Sequence, residues 1–289
     1  MQKKQNKQNK QVHFVDRDGF RLKIIEQGQG LNLLVIGSTD YYQRTMPEMM
    51  YDHFRCIFID HRGFAECSRD ITHDDASLEK ISSDTEAILQ NLGIETSWVL
   101  GHSGHAYMAL NFCHRYPNKV LGCAIVGAAP SLSEEMQTLQ MENWQNNASP
   151  SRKSIFAKNF PKLEQDIKQE PQRKFAHLCY RSGAMRWFDA NYDERPLWHE
   201  VNMQTQILDI LWGEVFSSVE IGQYAQSLQI PILILGGEQD YSIAPISSWS
   251  KIEPSFRNVH IETIAHCGHT PMLEQPEAFT HSMIGFIFR

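Results

Sequence analysis

The 289-residue sequence is short of the features that mark membrane, nucleic-acid and disulfide-framed proteins. No apolar run approaches the roughly 18–20 residues needed to span a bilayer. The opening stretch, residues 1–11, is rich in Lys, Gln and Asn and lacks the apolar core of a secretory leader, so it reads as a flexible, solvated tail. Basic residues are in deficit. There are 27 Lys and Arg against 34 Asp and Glu, a net charge of −7, which excludes the broad cationic surface that drives nucleic-acid binding. Cysteine is sparse and irregularly spaced: Cys56, Cys67, Cys113, Cys123, Cys179 and Cys267 form no C-x-x-C pair. That pattern reads as reduced, buried thiols in a cytoplasmic protein rather than a disulfide framework. The spacing of His102, His105, His266 and His269 matches no usual metal-ligand set, and no nearby acid completes one. Neither a metal nor a cofactor is expected.

Apolar content is ordinary, at 42% hydrophobic and 21% charged, enough to order the chain. Val12 to Phe14 and Arg21 to Ile25 flank Asp18-Gly19, a turn dipeptide, and read as a hairpin. Short apolar runs follow at 31–36, 56–59, 98–100, 121–126, 232–235 and 259–264. Several are apolar through most of their length, as strands are when both faces are buried. Helical spacing recurs between them, at 77–92 before Gly93, at 104–116 before Pro117, and at 274–288. Strands alternating with helices predict an α/β class with a doubly wound, mostly parallel sheet.

The alternation breaks at 131–227. This segment is rich in polar residues and holds Trp144, Trp187, Trp198 and Trp212. It reads as an inserted helical cap, with the α/β core formed by 12–130 and 228–289. An insertion of this kind is a natural lid over the carboxyl ends of the strands.

Chemistry gathers at three strand ends. In Gly101-His102-Ser103-Gly104, a serine follows a strand and precedes a helix between small residues. This is the grammar of a nucleophile elbow, in which a strained turn projects the hydroxyl. The Gly104 N–H then lies at a helix start, where developing negative charge is favoured. Asp240 follows the strand at 232–235 and a Gly-Gly turn, and His269 follows the strand at 259–264. A serine needs a base, an imidazole can carry its proton, and a carboxylate can fix the imidazole tautomer. Ser103, Asp240 and His269 stand in the chain order of an α/β-hydrolase triad. Of the other histidines, His266 reads as a loop residue and His102 as packing beside the sheet, away from the site.

On these motifs the sequence resembles the α/β-hydrolase superfamily over nearly all its length after the tail. Asp60-His61-Arg62-Gly63-Phe64-Ala65-Glu66-Cys67-Ser68 is similar to the D-x-R-G-x-G-x-S segment after the fourth strand, with Ala at position 65. Gly268-His269 with Pro271, Glu274, Pro276, Glu277 and Phe279 resembles the catalytic-histidine loop and last helix. Position 105, usually the final Gly of G-x-S-x-G, is His.

Within the superfamily, the stretch from Leu211 to Phe216 resembles a cap segment of prolyl aminopeptidases. That resemblance implies that Trp212, Glu214 and Tyr241 bind substrate, with Glu214 pairing with a free amino terminus. The family's H-G-G-P-G is absent, but Gly37 remains, so Ser38 N–H can join Gly104 N–H in an oxyanion hole.

The leading expectation is a cofactor-free serine hydrolase of the aminopeptidase type. It would act on a small molecule or short peptide, as a monomer or small homo-oligomer, without nucleic-acid or membrane partners. Hydrolysis of small esters or lactones is the alternative. A ligand-binding protein on a hydrolase scaffold is a third reading.

Overall fold

The computed structural model describes residues 10–219 and 221–288. Its first two strands, β1 (Gln11–Arg17) and β2 (Phe20–Gly28), pair antiparallel with Arg17 opposite Phe20. Asp18 and Gly19 between them both take positive φ, 48° and 82°, as the two-residue turn that matches strand twist requires. The ladder begins at Gln11 opposite Glu26, so the last residue assigned to the tail is already a strand residue. The rest of that expected tail, through residue 9, lies outside the described residues.

The remaining strands are β3 (Leu31–Gly37), β4 (Phe54–Asp60), the short β5 (Glu66–Cys67), β6 (Ser97–His102), β7 (Val120–Val126), β8 (Ile232–Gly237) and β9 (Val259–Ile264). Among the described residues they form one sheet in the order β1-β2-β4-β3-β6-β7-β8-β9, with β5 beside β2. Every pairing from β4 through β3 to β9 is parallel. The doubly wound, mostly parallel sheet expected from the sequence is therefore present.

Side-chain alternation explains why these strands read as unbroken apolar runs. Leu34 and Ile36 of β3 join Ile57, Val99 and Ile125 in one buried layer, while Leu33 and Val35 join Phe58, Leu100 and Val126 in the other. Both faces are covered, so neither can be polar. Helices α1 (Thr39–Thr45), α2 (Leu78–Asn91) and α3 (His105–Arg115) follow β3, β5 and β6 in sequence. Helix α2 begins where Ser77 accepts from Lys80 N–H, and it ends before Gly93 at φ 65°.

The chain leaves the sheet after β7 and returns at β8. Between them lie α4 (Glu134–Asn147), α5 (Pro150–Asn159), α6 (Leu163–Gln169), α7 (Lys174–Arg181), α8 (Gly183–Arg186), α9 (Thr205–Ile210) and α10 (Ile221–Ser227). The C-terminal helix expected at 274–288 is α12 (Pro276–Ile287), preceded by a separate short helix, α11 (Pro271–Glu274). Pro276 accounts for the break, because the residue before a proline is pushed out of the helical region. Gln275 there has φ −136° and ψ 64°.

Candidate active site

The sheet's topology reverses at β3, which has β4 on one side and β6 on the other. The crevice at the carboxyl ends of two such strands is where an open α/β sheet receives ligands. Ile36 of β3 pairs with Gly101 of β6. Two residues beyond each stand Ser38 and Ser103, which line the same cavity.

Ser103 adopts φ 57°, a left-handed conformation that a residue with a Cβ enters only at a cost of about 1–3 kcal/mol. Its N–H donates to Val126 O at 2.9 Å, tying the turn to β7. The turn is possible because its neighbours are small. A Cβ on Gly101 would lie 2.6 Å from the Ala106 Cα, and one on Gly104 would lie 2.7 Å from the Trp212 ring. At position 105, by contrast, a large side chain is accommodated. His105 is buried with Nδ1 2.7 Å from the Tyr42 hydroxyl and its ring against Trp212.

Three sequence-predicted residues meet in a hydrogen-bonded row. Ser103 Oγ lies 3.0 Å from His269 Nε2, and His269 Nδ1 lies 2.6 Å from Asp240 Oδ2. Nδ1–H donating to the carboxylate leaves Nε2 free to accept from the serine hydroxyl. Asp240 and His269 are both buried. The second carboxylate oxygen of Asp240 accepts from Ser242 N–H at 2.9 Å and Ser242 Oγ–H at 2.6 Å. Ser242 is absent from the sequence reading. Its signal is its place two residues after the acid, where a side-chain turn closes on the preceding carboxylate.

The histidine loop is fixed from several directions. His269 N–H donates to Arg186 O at 2.5 Å. Glu274 accepts three backbone N–H bonds, from Phe188 at 2.7 Å, Thr270 at 2.9 Å and Gly268 at 3.1 Å. His102, expected to point away, in fact lines the cavity and approaches His269 O at 2.7 Å through Nε2. Strand β6 carries it into the site because it is the last strand residue before the elbow. Burial holds His102 and His105 well below the usual imidazole range, so both are neutral. His266 sits on an exposed turn with φ 53°.

The turn after β3 is pinned by Asp60, whose Oδ1 accepts from Thr39 N–H at 2.6 Å. Burial pushes the Asp60 carboxyl up to about 7.

The expected substrate-binding residues separate. Trp212 lines the cavity. Glu214 does not. It is 64% exposed and 3.0 Å from the exposed His73. Residues two apart on a helical turn face opposite sides, so placing Trp212 inward turns Glu214 outward. Tyr241 is also outside the cavity lining. It packs against Trp144, lies 5.5 Å beneath the Arg152 guanidinium and donates from its hydroxyl to Asn147 O. Its N–H donates to Met185 O. Tyr241 fastens the inserted helices to the loop after β8.

The cavity is small, about 30 Å³, room for little more than a water molecule. Its walls include residues the sequence did not single out, among them Tyr41, Phe175, Cys179, Arg186 and Trp198. Arg186 is the charged residue among them, and it pairs with Glu194. Among the described residues, no group of three His, Cys, Asp or Glu side chains is placed to hold a metal ion, and no helix is long and apolar enough to cross a membrane.

The model of the alpha/beta hydrolase fold family matches residues 32–276, and the chain belongs to that family. It is 36% identical over 265 residues to the AB hydrolase superfamily protein YclE of Bacillus subtilis (strain 168), a match covering 92% of this chain and 94% of that one. Among solved structures, the esterase from Exiguobacterium antarcticum superposes with a TM-score of 0.70 at 16% identity, covering 96% of this chain and all of that one. An N-acyl homoserine lactone degrading enzyme superposes with a TM-score of 0.66 at 18% identity over 95% of this chain and 100% of its own. At these identities the two structures speak to the fold alone.

Proposed function

We propose that this protein is a serine hydrolase of small carboxylic esters or lactones, working through an acyl-enzyme. In this reading His269 Nε2 takes the Ser103 proton as Oγ attacks the substrate carbonyl carbon. The oxyanion so formed accepts from the N–H groups of Gly104 and Ser38. Collapse breaks the bond to the leaving oxygen, which receives the proton from His269. A water molecule then gives a proton to His269 and attacks the acyl carbon. The acid departs and Ser103 regains its proton. Asp240, fixed by Ser242, keeps the imidazole in the required tautomer and stabilises its cationic form.

The observation that carries the reading is the Ser103–His269–Asp240 row opening into a cavity whose charged wall residue is a cation. This favours the ester or lactone substrate over the aminopeptidase expected from the sequence. A free amino terminus would bring an ammonium to Arg186, while the carboxylate assigned to receive it, Glu214, is at the surface. The test is turnover of a short-chain aryl ester, a small lactone and a proline anilide by wild type and Ser103→Ala. Ester or lactone cleavage that falls by about 10⁴-fold or more in the variant is expected. Serine-dependent cleavage of the anilide in preference to both would overturn the substrate assignment. Full activity in Ser103→Ala would overturn the mechanism.

A further inference from the structure

Two buried imidazoles near the elbow each carry a ring nitrogen that finds no hydrogen-bond partner among the described residues, Nε2 of His61 and Nε2 of His105. The ring centroids are 5.2 Å apart. Buried polar atoms are almost always paired, so both nitrogens call for an account. Much of the proton placement around them is fixed. His61 Nδ1 accepts from Gly63 N–H at 3.0 Å. Burial pushes the His61 imidazole down to about 3, so the ring is neutral and its hydrogen is on Nε2. His102 is neutral as well, and its Nε2 faces the His269 carbonyl at 2.7 Å. A carbonyl only accepts, so His102 also carries its hydrogen on Nε2, and its Nδ1 is a bare acceptor.

The Tyr42 hydroxyl stands between His102 and His105. It lies 2.7 Å from His105 Nδ1, and 3.3 Å from both His102 Nδ1 and the His102 carbonyl oxygen. A phenol has one hydrogen to give. Given to His105 Nδ1, it would force the His105 hydrogen onto Nε2. His102 Nδ1 would then lack a donor, and His61 and His105 would each bury an N–H without an acceptor. The opposite arrangement puts the His105 hydrogen on Nδ1, where it donates to the Tyr42 oxygen. Tyr42 then donates to His102, and His105 Nε2 becomes an acceptor beside a ring whose own Nε2 bears a hydrogen. This second arrangement strands fewer buried groups, each of which costs about 1–3 kcal/mol when unpaired.

From this geometry we infer that His105, Tyr42 and His102 form a one-way chain of hydrogen bonds that positions the loop of the candidate base. His105 Nδ1–H donates to Tyr42 Oη, Tyr42 Oη–H to His102 Nδ1, and His102 Nε2–H to the His269 carbonyl. Tyr42 and His105 are positioning residues: they act on His269 by fixing the tautomer through which His102 holds it. With the His102 hydrogen on Nδ1, two acceptors would face each other 2.7 Å apart and push the loop away. The backbone makes room for the chain at Gly37, where a Cβ would lie 2.2 Å from the Tyr42 ring. Tyr42 itself is set one turn into α1, its N–H donating to Ser38 O at 3.0 Å. The His at position 105 thus has a task that the usual glycine has no side chain to perform.

Two measurements test this. The first needs no substrate. Two-bond proton–nitrogen NMR of protein carrying ¹⁵N-labelled histidine reads the tautomer of each neutral ring, with rings assigned through conservative single substitutions. Wild type should show His105 as the Nδ1–H form and His61 and His102 as the Nε2–H form. His105 found as Nε2–H, or His102 as Nδ1–H, would overturn the chain. Tyr42→Phe removes the donor to His102 Nδ1, so the His102 nitrogen signals should move toward those of a mixture of tautomers. His102 signals unchanged in that variant would overturn the part given to Tyr42.

The second measurement is kinetic, rests on the serine-hydrolase reading and uses a short-chain aryl ester. Tyr42→Phe and His105→Phe should each lower kcat by about threefold to tenfold, the scale of one neutral hydrogen bond, with little change in KM. His105→Asn, whose amide N–H can stand in for Nδ1–H, should recover most of that loss. His105→Gln, whose longer side chain carries its amide to the place of Nε2, should not. A rise in KM with kcat unchanged, or equal recovery by Asn and Gln, would overturn the positioning role. If wild type cleaves no ester, the hydrolase reading falls, and the NMR result alone supports or overturns the chain.

Discussion

The imidazole Nε2 of His102 lies 2.7 Å from the carbonyl oxygen of His269, so the residue before the candidate nucleophile holds the loop that carries the candidate base. Nε2–H must donate here, because a carbonyl only accepts. That leaves Nδ1 facing the Tyr42 hydroxyl at 3.3 Å. His102→Leu keeps much of the volume but strands the His269 carbonyl in a buried setting, while the Tyr42 hydroxyl keeps His105 Nδ1 at 2.7 Å. It should destabilise the protein by about 1–3 kcal/mol in chemical denaturation.

Ser242 gives the carboxylate of Asp240 two of its hydrogen bonds and lies 3.1 Å from His269 Nδ1. Ser242→Ala removes the hydroxyl bond and keeps the backbone one, so kcat on a hydrolysed ester should fall by about tenfold with little change in KM. Asp240→Asn should be far more severe, about 10⁴-fold in kcat, because it disfavours the Nδ1–H tautomer. Equal effects from the two substitutions would show that Ser242 does more than steady the acid.

Asp60 links pH to stability. Its carboxyl is raised by burial from 3.8 to about 7, so the folded protein holds this proton more tightly than the unfolded chain. Stability from this group is greatest below about pH 4 and is lost as pH rises toward about 7. Asp60→Asn keeps an oxygen for Thr39 N–H and removes the ionisation. The variant should gain on wild type between about pH 5 and about pH 8 in urea denaturation, by about 2–4 kcal/mol at the upper end. A pH-independent difference would contradict this.

Arg62 is the centre of a buried charge cluster. Its guanidinium, 1% exposed, donates to Asp84 at 2.6 Å, Asp75 at 2.7 Å and Asp18 at 2.8 Å. Asp75 is also paired with Arg69, which holds its carboxyl well below the usual range. Arg62→Met leaves Asp75 and Asp84 without their buried partner and should cost about 3–5 kcal/mol, read as a lower urea midpoint. Arg62→Lys should recover only part of that loss, because one ammonium cannot reproduce three separately directed bonds.

The sheet was legible in the sequence because its strands are covered on both faces. Val259–Ile264 was bounded to the residue, and other strands differed at their ends by a few positions. Ser103, Asp240 and His269 were legible for a related reason: each follows a readable strand, and strand ends converge by topology. The cavity wall was not. Arg186 ends a four-residue helix in a segment whose helices are short and largely polar on the surface, so nothing in its spacing tells which side faces Ser103. The outward placement of Glu214 has the same origin. A family segment was recognisable, but which of Trp212 and Glu214 turns inward is set by how that turn packs on Gly104.

Strands β7 and β8 are hydrogen-bonded neighbours, yet roughly one hundred residues of chain separate them. The entropy of closing such a loop grows only as the logarithm of its length, about 0.6 kcal/mol for each doubling. The core is therefore nearly indifferent to how long the excursion is. Descendants of this chain could lengthen, shorten or replace the segments that supply Arg186, Trp198 and Trp212 and remake the cavity wall, while Ser103, Asp240 and His269 stayed just beyond strands that never registered the change.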